Sequence, residues 1–337
     1  MNLKTILFFL VIVLLSTYAA TVFDDQNPDE TALSIPFSET RSVMGTTVTI
    51  KVLDTNEAHA LESIDRAFDE IYHVDELMSS YKNDSELTIL NTQGHLDDAD
   101  PDFVYVLERS KYYSVISDGA FDVTIKPILD LWGAKYSPGG TYMPPTTDEI
   151  NETLQLVDYS RITIEDGSIS LQPNMSVILG GIAKGYSVDR AIESLKLDGI
   201  TNGFVNAGGD GRFIGLNEEN APWIIGLQNP DKDEEAVTRM ALSDMAVATS
   251  GNYERYFSDA AKVSHISDPR TGYSVQELIS ATVIADTAID ADALATAVFV
   301  LGEDGVEMIK GLEGVECLII TDDKRIIRSS GFGEYEV

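Results

Sequence analysis

The sequence predicts an α+β protein with mixed, largely antiparallel sheets and packed helices. Helical and strand patterns are interleaved along the chain. Several strand pairs are separated only by short turns, as at Glu165-Asp166-Gly167 and Asp322-Asp323-Lys324. A link that short joins antiparallel neighbours, because parallel strands need a long crossover.

The first element reads as an export segment. Lys4 precedes an uncharged stretch from Thr5 to Phe23, and Asp24-Asp25 follow it. The stretch is just long enough to cross a bilayer as a helix, and the flanking charges put the bulk of the chain outside the cytoplasm. Residues 1–23 are therefore a membrane anchor or a signal peptide, the latter through the small-residue pattern Thr17-Tyr18-Ala19-Ala20. Both readings place the protein outside the cytoplasm, anchored to the cell membrane or, if cleaved, secreted. Residues 24–36 turn polar and acidic and read as a linker, and 37–330 read as the folded domain.

Within that domain, residues 46–53 alternate β-branched and polar side chains and predict a strand. Leu61, Ile64, Phe68, Ile71, Val74 and Met78 recur at helical spacing and predict a long amphipathic helix. Asp100-Pro101 is an N-cap followed by proline at the first helical position. Residues 135–145, rich in Pro and Gly, predict a long irregular loop. Further strands fit 161–164, 168–171, 203–206, 211–216, 223–228, 279–285, 315–321 and 324–328, and helices fit 148–157, 183–196, 290–301 and 303–311.

Composition narrows the function. Of 337 residues, 44% are apolar, enough for a substantial core, but 23 basic against 56 acidic residues leave a net charge of -33. Such a surface repels phosphate backbones, so nucleic acid is excluded as a partner, and an anionic ligand needs local positive groups. The single cysteine, Cys317, lies in an apolar run and reads as a buried strand residue; no Cys/His cluster offers a zinc site.

Five segments are poorly explained by packing alone. Gly180-Gly181-Ile182-Ala183-Lys184-Gly185 is a glycine-rich turn entering a helix, where free N–H groups favour an anion. Lys184 there opposes the helix dipole unless an anion lies nearby; a plain turn is the alternative. Asp292 and Thr296 share a helix face among alanines, a carboxylate beside a hydroxyl that suits a hard cation such as Mg²⁺. Capping is the other reading for Asp292, and the expected role of Asp290. His265 precedes the tight turn Asp268-Pro269-Arg270-Thr271-Gly272, where Arg270 either clamps a phosphate or ties down its loop. Gly119-Ala120-Phe121-Asp122 and Asn206-Ala207-Gly208-Gly209-Asp210-Gly211 read as loops beside strands that could touch a ligand.

Taken in order, these segments resemble the ApbE family of FAD:protein FMN transferases. The resemblance includes Met44-Gly45-Thr46-Thr47, Met78-Ser79-Ser80-Tyr81 and Ser85-Glu86-Leu87. It continues through Gly119 to Asp122, Gly180 to Tyr186, Ala248-Thr249-Ser250-Gly251-Asn252-Tyr253, His265 to Gly272, and Ala291 to Ala297. It implies an exported, Mg²⁺-dependent enzyme that attaches FMN from FAD through a phosphoester to Thr or Ser of an acceptor flavoprotein, a subunit of a respiratory membrane complex, releasing AMP. It also implies that Met44, Tyr81, Ala120, Phe121, Asp122, Lys184 and Ile266 contact FAD. The metal would take Asp292, Thr296 and the carbonyls of Gly181 and Ala295. His265 is the expected base. One departure stands out: Ile178 occupies a position where the family commonly carries aspartate. A Mg²⁺-dependent FAD pyrophosphatase and a non-catalytic flavin-binding surface protein are the rival readings.

Overall fold

The protein is described here by a computed structural model covering residues 34–136, 140–229, 236–252, 256–258, 263–264 and 266–337. The expected anchor and most of the linker therefore lie outside the described residues. Among those described, no helix is long and apolar enough to cross a membrane.

The core of the fold is an eight-stranded sheet: β1 (Ile35–Val43), β2 (Thr46–Asp54), β3 (Gly203–Ala207), β4 (Asp210–Ile214), β5 (Met245–Gly251), β6 (Leu278–Ala285), β7 (Glu316–Thr321) and β8 (Ile326–Arg328). The strands lie side by side in chain order, and each pairs antiparallel with the next. The α+β, largely antiparallel expectation is met. Three tight links close hairpins, and the longer connections carry the remaining elements as excursions.

Between β2 and β3 run α1 (Glu57–Met78), α2 (Glu86–Gln93), α3 (Pro101–Ile116), α4 (Lys126–Tyr136), α5 (Thr147–Leu154) and α6 (Ala183–Leu197). Between β6 and β7 run α7 (Ala288–Leu301) and α8 (Glu303–Ile309). α1 packs on α6, α6 on α7, and α7 across β5 and β6. The apolar stripe of α1 (Ile64, Phe68, Ile71, Val74) is fully buried, as its spacing requires. α7 is apolar on nearly every side because it is enclosed by helices and sheet alike. The opposite face of the sheet is covered by a two-stranded ribbon, Trp223–Leu227 with Thr238–Leu242, and by Phe332 near the C-terminus. β6 therefore lies between two cores: Ala281 and Val283 join the helical side, Ile284 the ribbon side.

Several elements differ from the sequence reading. β1, unforeseen because Pro36 and alternating polar residues mask it, is an edge strand, the place where a sheet tolerates proline. α4 takes up Lys135 and Tyr136, the start of the expected loop. The folded part extends past 330: Phe332 is fully buried, Val337 N–H donates to Arg239 O (3.0 Å), and Glu336 pairs with Arg328. Asp290 is not the cap of α7. Thr287 is, accepting Asp290 N–H (3.3 Å) while its hydroxyl donates back to the Asp290 carboxylate.

The end of β2 is tied to the helical layer by a half-exposed imidazole. His59 Nδ1 lies 2.5 Å from Asp54 Oδ2, and Nε2 lies 3.1 Å from Asp198 O at the end of α6. The hydrogen bond to Asp54 raises the His59 pKa above its ordinary value. A raised pKa in the folded state means the contribution is complete below the unfolded value, roughly 6.5, and is lost as pH rises through the folded one. The thermal midpoint of the wild type should therefore exceed that of His59→Ala by more at about pH 5.5 than at about pH 8.5. A pH-independent difference would remove this pair from the account.

Candidate functional site

The site forms where the N-terminal ends of α6 and α7 meet. α6 begins at Ile182 with no side-chain cap of its own. Its Gly185 N–H instead donates to Asp292 Oδ2 on α7 (2.9 Å). In return, Asp189 on α6 accepts the first amides of α7: Ala288 N–H at 2.9 Å and Ile289 N–H at 2.8 Å. Arg212 on β4 donates to the same Asp189 carboxylate at 2.7 Å. Each helix thus caps the other with a buried carboxylate. The approach is so close that a Cβ on Gly185 would lie 2.2 Å from Ala288 O and 2.8 Å from Asp292 Cβ. Burial pushes the Asp292 carboxyl above the usual carboxylate range; Lys184 opposes that shift and Asp210 adds to it.

Above this junction opens a cleft of about 730 Å³. Its floor is Gly180, Gly181, Lys184, Asp292, Thr296 and Ser250. Its walls are Met44, Met78 to Tyr81, Ala120 to Val123, α4 through Leu129 and Ala134, and the loop carrying Ile266 and Ser267. The structure thus brings Met44, Tyr81, Ala120, Phe121, Asp122, Gly181, Lys184, Ile266, Asp292 and Thr296 to one cavity. His265 lies outside the described residues. Ala295 is fully buried, α7 runs unbroken through it, and it is not part of the cleft wall.

The floor offers a hard-cation donor set. Asp292 is 4% exposed, and among the described residues its Oδ1 accepts no hydrogen bond. Thr296 Oγ1 lies 3.2 Å from Ser250 Oγ, and either hydroxyl can donate to the other; with Thr296 as donor its oxygen lone pairs stay available. Gly181 must lack a Cβ, which would sit 2.8 Å from Thr296 Oγ1. Carboxylate, hydroxyl and glycine backbone fit Mg²⁺ better than a soft metal. Lys184, the cation opposed to the dipole of α6, is paired with the buried carboxylate of Asp210.

The walls differ in kind. Met44 and Gly45 both have positive φ (53° and 70°) in the two-residue turn joining β1 and β2, which sets the thioether on the cavity. Tyr81 is 84% exposed, a ring held at the rim without packing of its own. Asp122 ties its own turn to a distant one: Oδ1 accepts Thr124 N–H (2.8 Å) and Thr124 O–H (2.7 Å), and Oδ2 accepts Tyr159 N–H (3.0 Å). These bonds fix the wall that Asp122 contributes to the cleft. Arg270 forms a two-pronged pair with Asp268 at 2.9 Å and does not line the cleft, so it ties down its loop. That loop is pinned to α4, where Trp132 Nε1–H donates to Gly272 O (2.8 Å). Ile178 packs against the apolar cluster of Ile125, Ile128, Trp132 and Ile150, which gives the departure at this position a packing role.

Sequence reasoning missed the α4 wall and, though it singled out the segment holding Asp210, missed the pairing of that residue with Lys184. Ile128 and Trp132 at helical spacing carried a signal for α4. Nothing in the sequence distinguishes Asp210 from an ordinary turn aspartate, because its partner Lys184 is distant along the chain.

Comparison with known proteins identifies the family and the fold. The model of the ApbE family matches residues 44–319. A protein of Vibrio cholerae named FAD:protein FMN transferase is 34% identical over 305 residues, covering 87% of this chain and 88% of its own length. Its counterpart in Haemophilus influenzae is 34% identical over 308 residues, covering 85% and 87%. The crystal structure of the ApbE protein from Thermotoga maritima superposes with a TM-score of 0.82 at 31% identity, over 90% of this chain and 100% of that one. The flavin transferase ApbE from Vibrio cholerae gives 0.75 at 30% identity, over 90% and 99%.

The contact at Gly185 yields a test. Gly185→Ala should cost up to about 2 kcal/mol net in urea unfolding, because overpacking of about 1–3 kcal/mol against the Ala288 backbone exceeds the helix-propensity gain of about 1 kcal/mol. A variant as stable as the wild type would mean that the two helices are not locked together here.

Proposed function

The chain belongs to the ApbE family, and from that premise we propose that it is a Mg²⁺-dependent FAD:protein FMN transferase. One observation carries the reading: a hard-cation donor pair, Asp292 and Thr296, lies beside Lys184 on the floor of a single cleft whose walls supply Met44, Tyr81 and Phe121. The floor suits a pyrophosphate and the walls suit ring systems, which are the two chemistries of a flavin dinucleotide.

In this reading Asp292, Thr296 and the Gly181 carbonyl hold the metal, which when bound supplies charge neutralisation on the pyrophosphate. Lys184 adds a fixed positive charge. The hydroxyl oxygen of an acceptor Thr or Ser attacks the FMN-side phosphorus, forming the new phosphoester. The bond from that phosphorus to the bridging oxygen breaks, and AMP leaves with the electron pair. His265, next to the wall residue Ile266, takes the hydroxyl proton. The acceptor is a flavoprotein of a respiratory membrane complex presented outside the cytoplasm, and residues 1–23 carry the enzyme there as anchor or signal.

Mass spectrometry of an acceptor after incubation with this protein, FAD and Mg²⁺ should show the gain of one FMN, with AMP released. Free FMN and an unmodified acceptor would make water the true acceptor and the protein a pyrophosphatase. FAD bound but unconsumed would leave only a binding protein. Asp292→Ala should remove metal dependence and transfer together; retained Mg²⁺ stimulation would sink the metal assignment. His265→Ala should lower kcat by about 10²–10⁴ with little change in FAD affinity. An unchanged rate would remove His265 as the base.

A further inference from the structure

The carboxylate that holds Lys184 stands outside the cleft, and the reaction above gives it no task. Asp210 is the first residue of β4 and is 2% exposed. It lies opposite Ala207 across the Gly208-Gly209 turn. Gly208 has φ +65°, and a Cβ there would meet Thr46 Oγ1 at 2.2 Å, so the turn is seated against β2. One Asp210 oxygen pairs with the Lys184 ammonium, and the other accepts Thr249 N–H at 3.4 Å. Lys184 is the cationic side chain among the described residues that line the cleft. On its other side, the amide of the next residue, Gly185, is bonded to Asp292. The Lys184 ammonium is therefore paired with one buried carboxylate, Asp210, and both charges act electrostatically on a second, Asp292.

We propose that Asp210 is a positioning residue that sets the order of loading: it holds the Lys184 charge in check, so that the site takes a divalent cation before a dinucleotide. The inference rests on the reading that metal and FAD share this cleft. Its logic is a charge count. Among the described residues the Lys184 charge is balanced by Asp210, and Asp292 adds negative charge whenever it is ionised, so the metal-free floor offers a pyrophosphate no net attraction while the charge of the whole chain, -33, repels it. A divalent cation adds positive charge to the floor and makes it attract the same group. Metal and dinucleotide then strengthen one another's binding, as linkage requires.

Removing the Asp210 charge should move the two affinities in opposite directions. A residue needed only for folding would weaken both. Titration calorimetry of Asp210→Asn should show FAD binding in EDTA tightened about tenfold, and Mg²⁺ binding without FAD weakened about tenfold. Weakening of both ligands, or no change in either, overturns the proposal. The wild type gives an independent test should the variant not fold: FAD must bind at least about tenfold more weakly in EDTA than with Mg²⁺. Equal affinity overturns the proposal. Wild type that binds no FAD under either condition overturns the reading of the cleft itself, a failure separate from that of the Asp210 assignment.

Discussion

The exchange of carboxylates between α6 and α7 is the interaction on which the rest of this structure depends. A helix start leaves amides without intrahelical partners, and burying such an end without acceptors costs free energy. Here each buried start is served by an acid from the other helix, Asp189 in one direction and Asp292 in the other. Two consequences follow from one arrangement. The helix starts are forced together, which requires glycine at 185. Asp292 is also held in place by a main-chain donor to one of its oxygens, and its residue forms part of the cleft floor. A stability device and a ligand-binding device share a carboxylate.

This sharing explains why the site was more legible in the sequence than parts of the scaffold. Asp292 with Thr296, and the Gly180-Gly181 turn with Lys184, could be read because local spacing alone puts each set on one turn of helix or at one helix start. Most strands and helices were legible for the same reason: their hydrophobic periods are local. β1 was not, because an edge strand carries polar residues on both faces and accepts Pro36. Asp210 was not, because its meaning comes from a tertiary pair. The cap of α7 was misread at Asp290, where Thr287 and Asp290 form one reciprocal unit that spacing alone does not resolve. Of the two readings left open for Arg270, the pair with Asp268 favours tying down its loop, a distinction that only hydrogen-bond partners can make.

Electrostatics also act differently at the two scales. Across the whole surface, charge is strongly negative and opposes an anionic ligand. On the cleft floor, among the described residues, the Lys184 ammonium is paired with Asp210 beside Asp292, so the local balance of charge differs from that of the surface. Surface charge, screened by salt over roughly 8–10 Å, governs solubility and approach; the buried cluster, screened far less, governs what is held.

The chain-order sheet has a consequence for biosynthesis. β2 pairs with β3, but the two are separated by about 150 residues that contain six helices. At about 5–20 residues per second, the β1–β2 hairpin emerges from the ribosome on the order of 10 s before the strand that completes its edge. Closing so long a loop is also slow for entropic reasons. An early hairpin without its partner leaves the sheet incomplete until well past the middle of synthesis. The same topology that places the cleft between distant segments thus delays its assembly until most of the chain has been made.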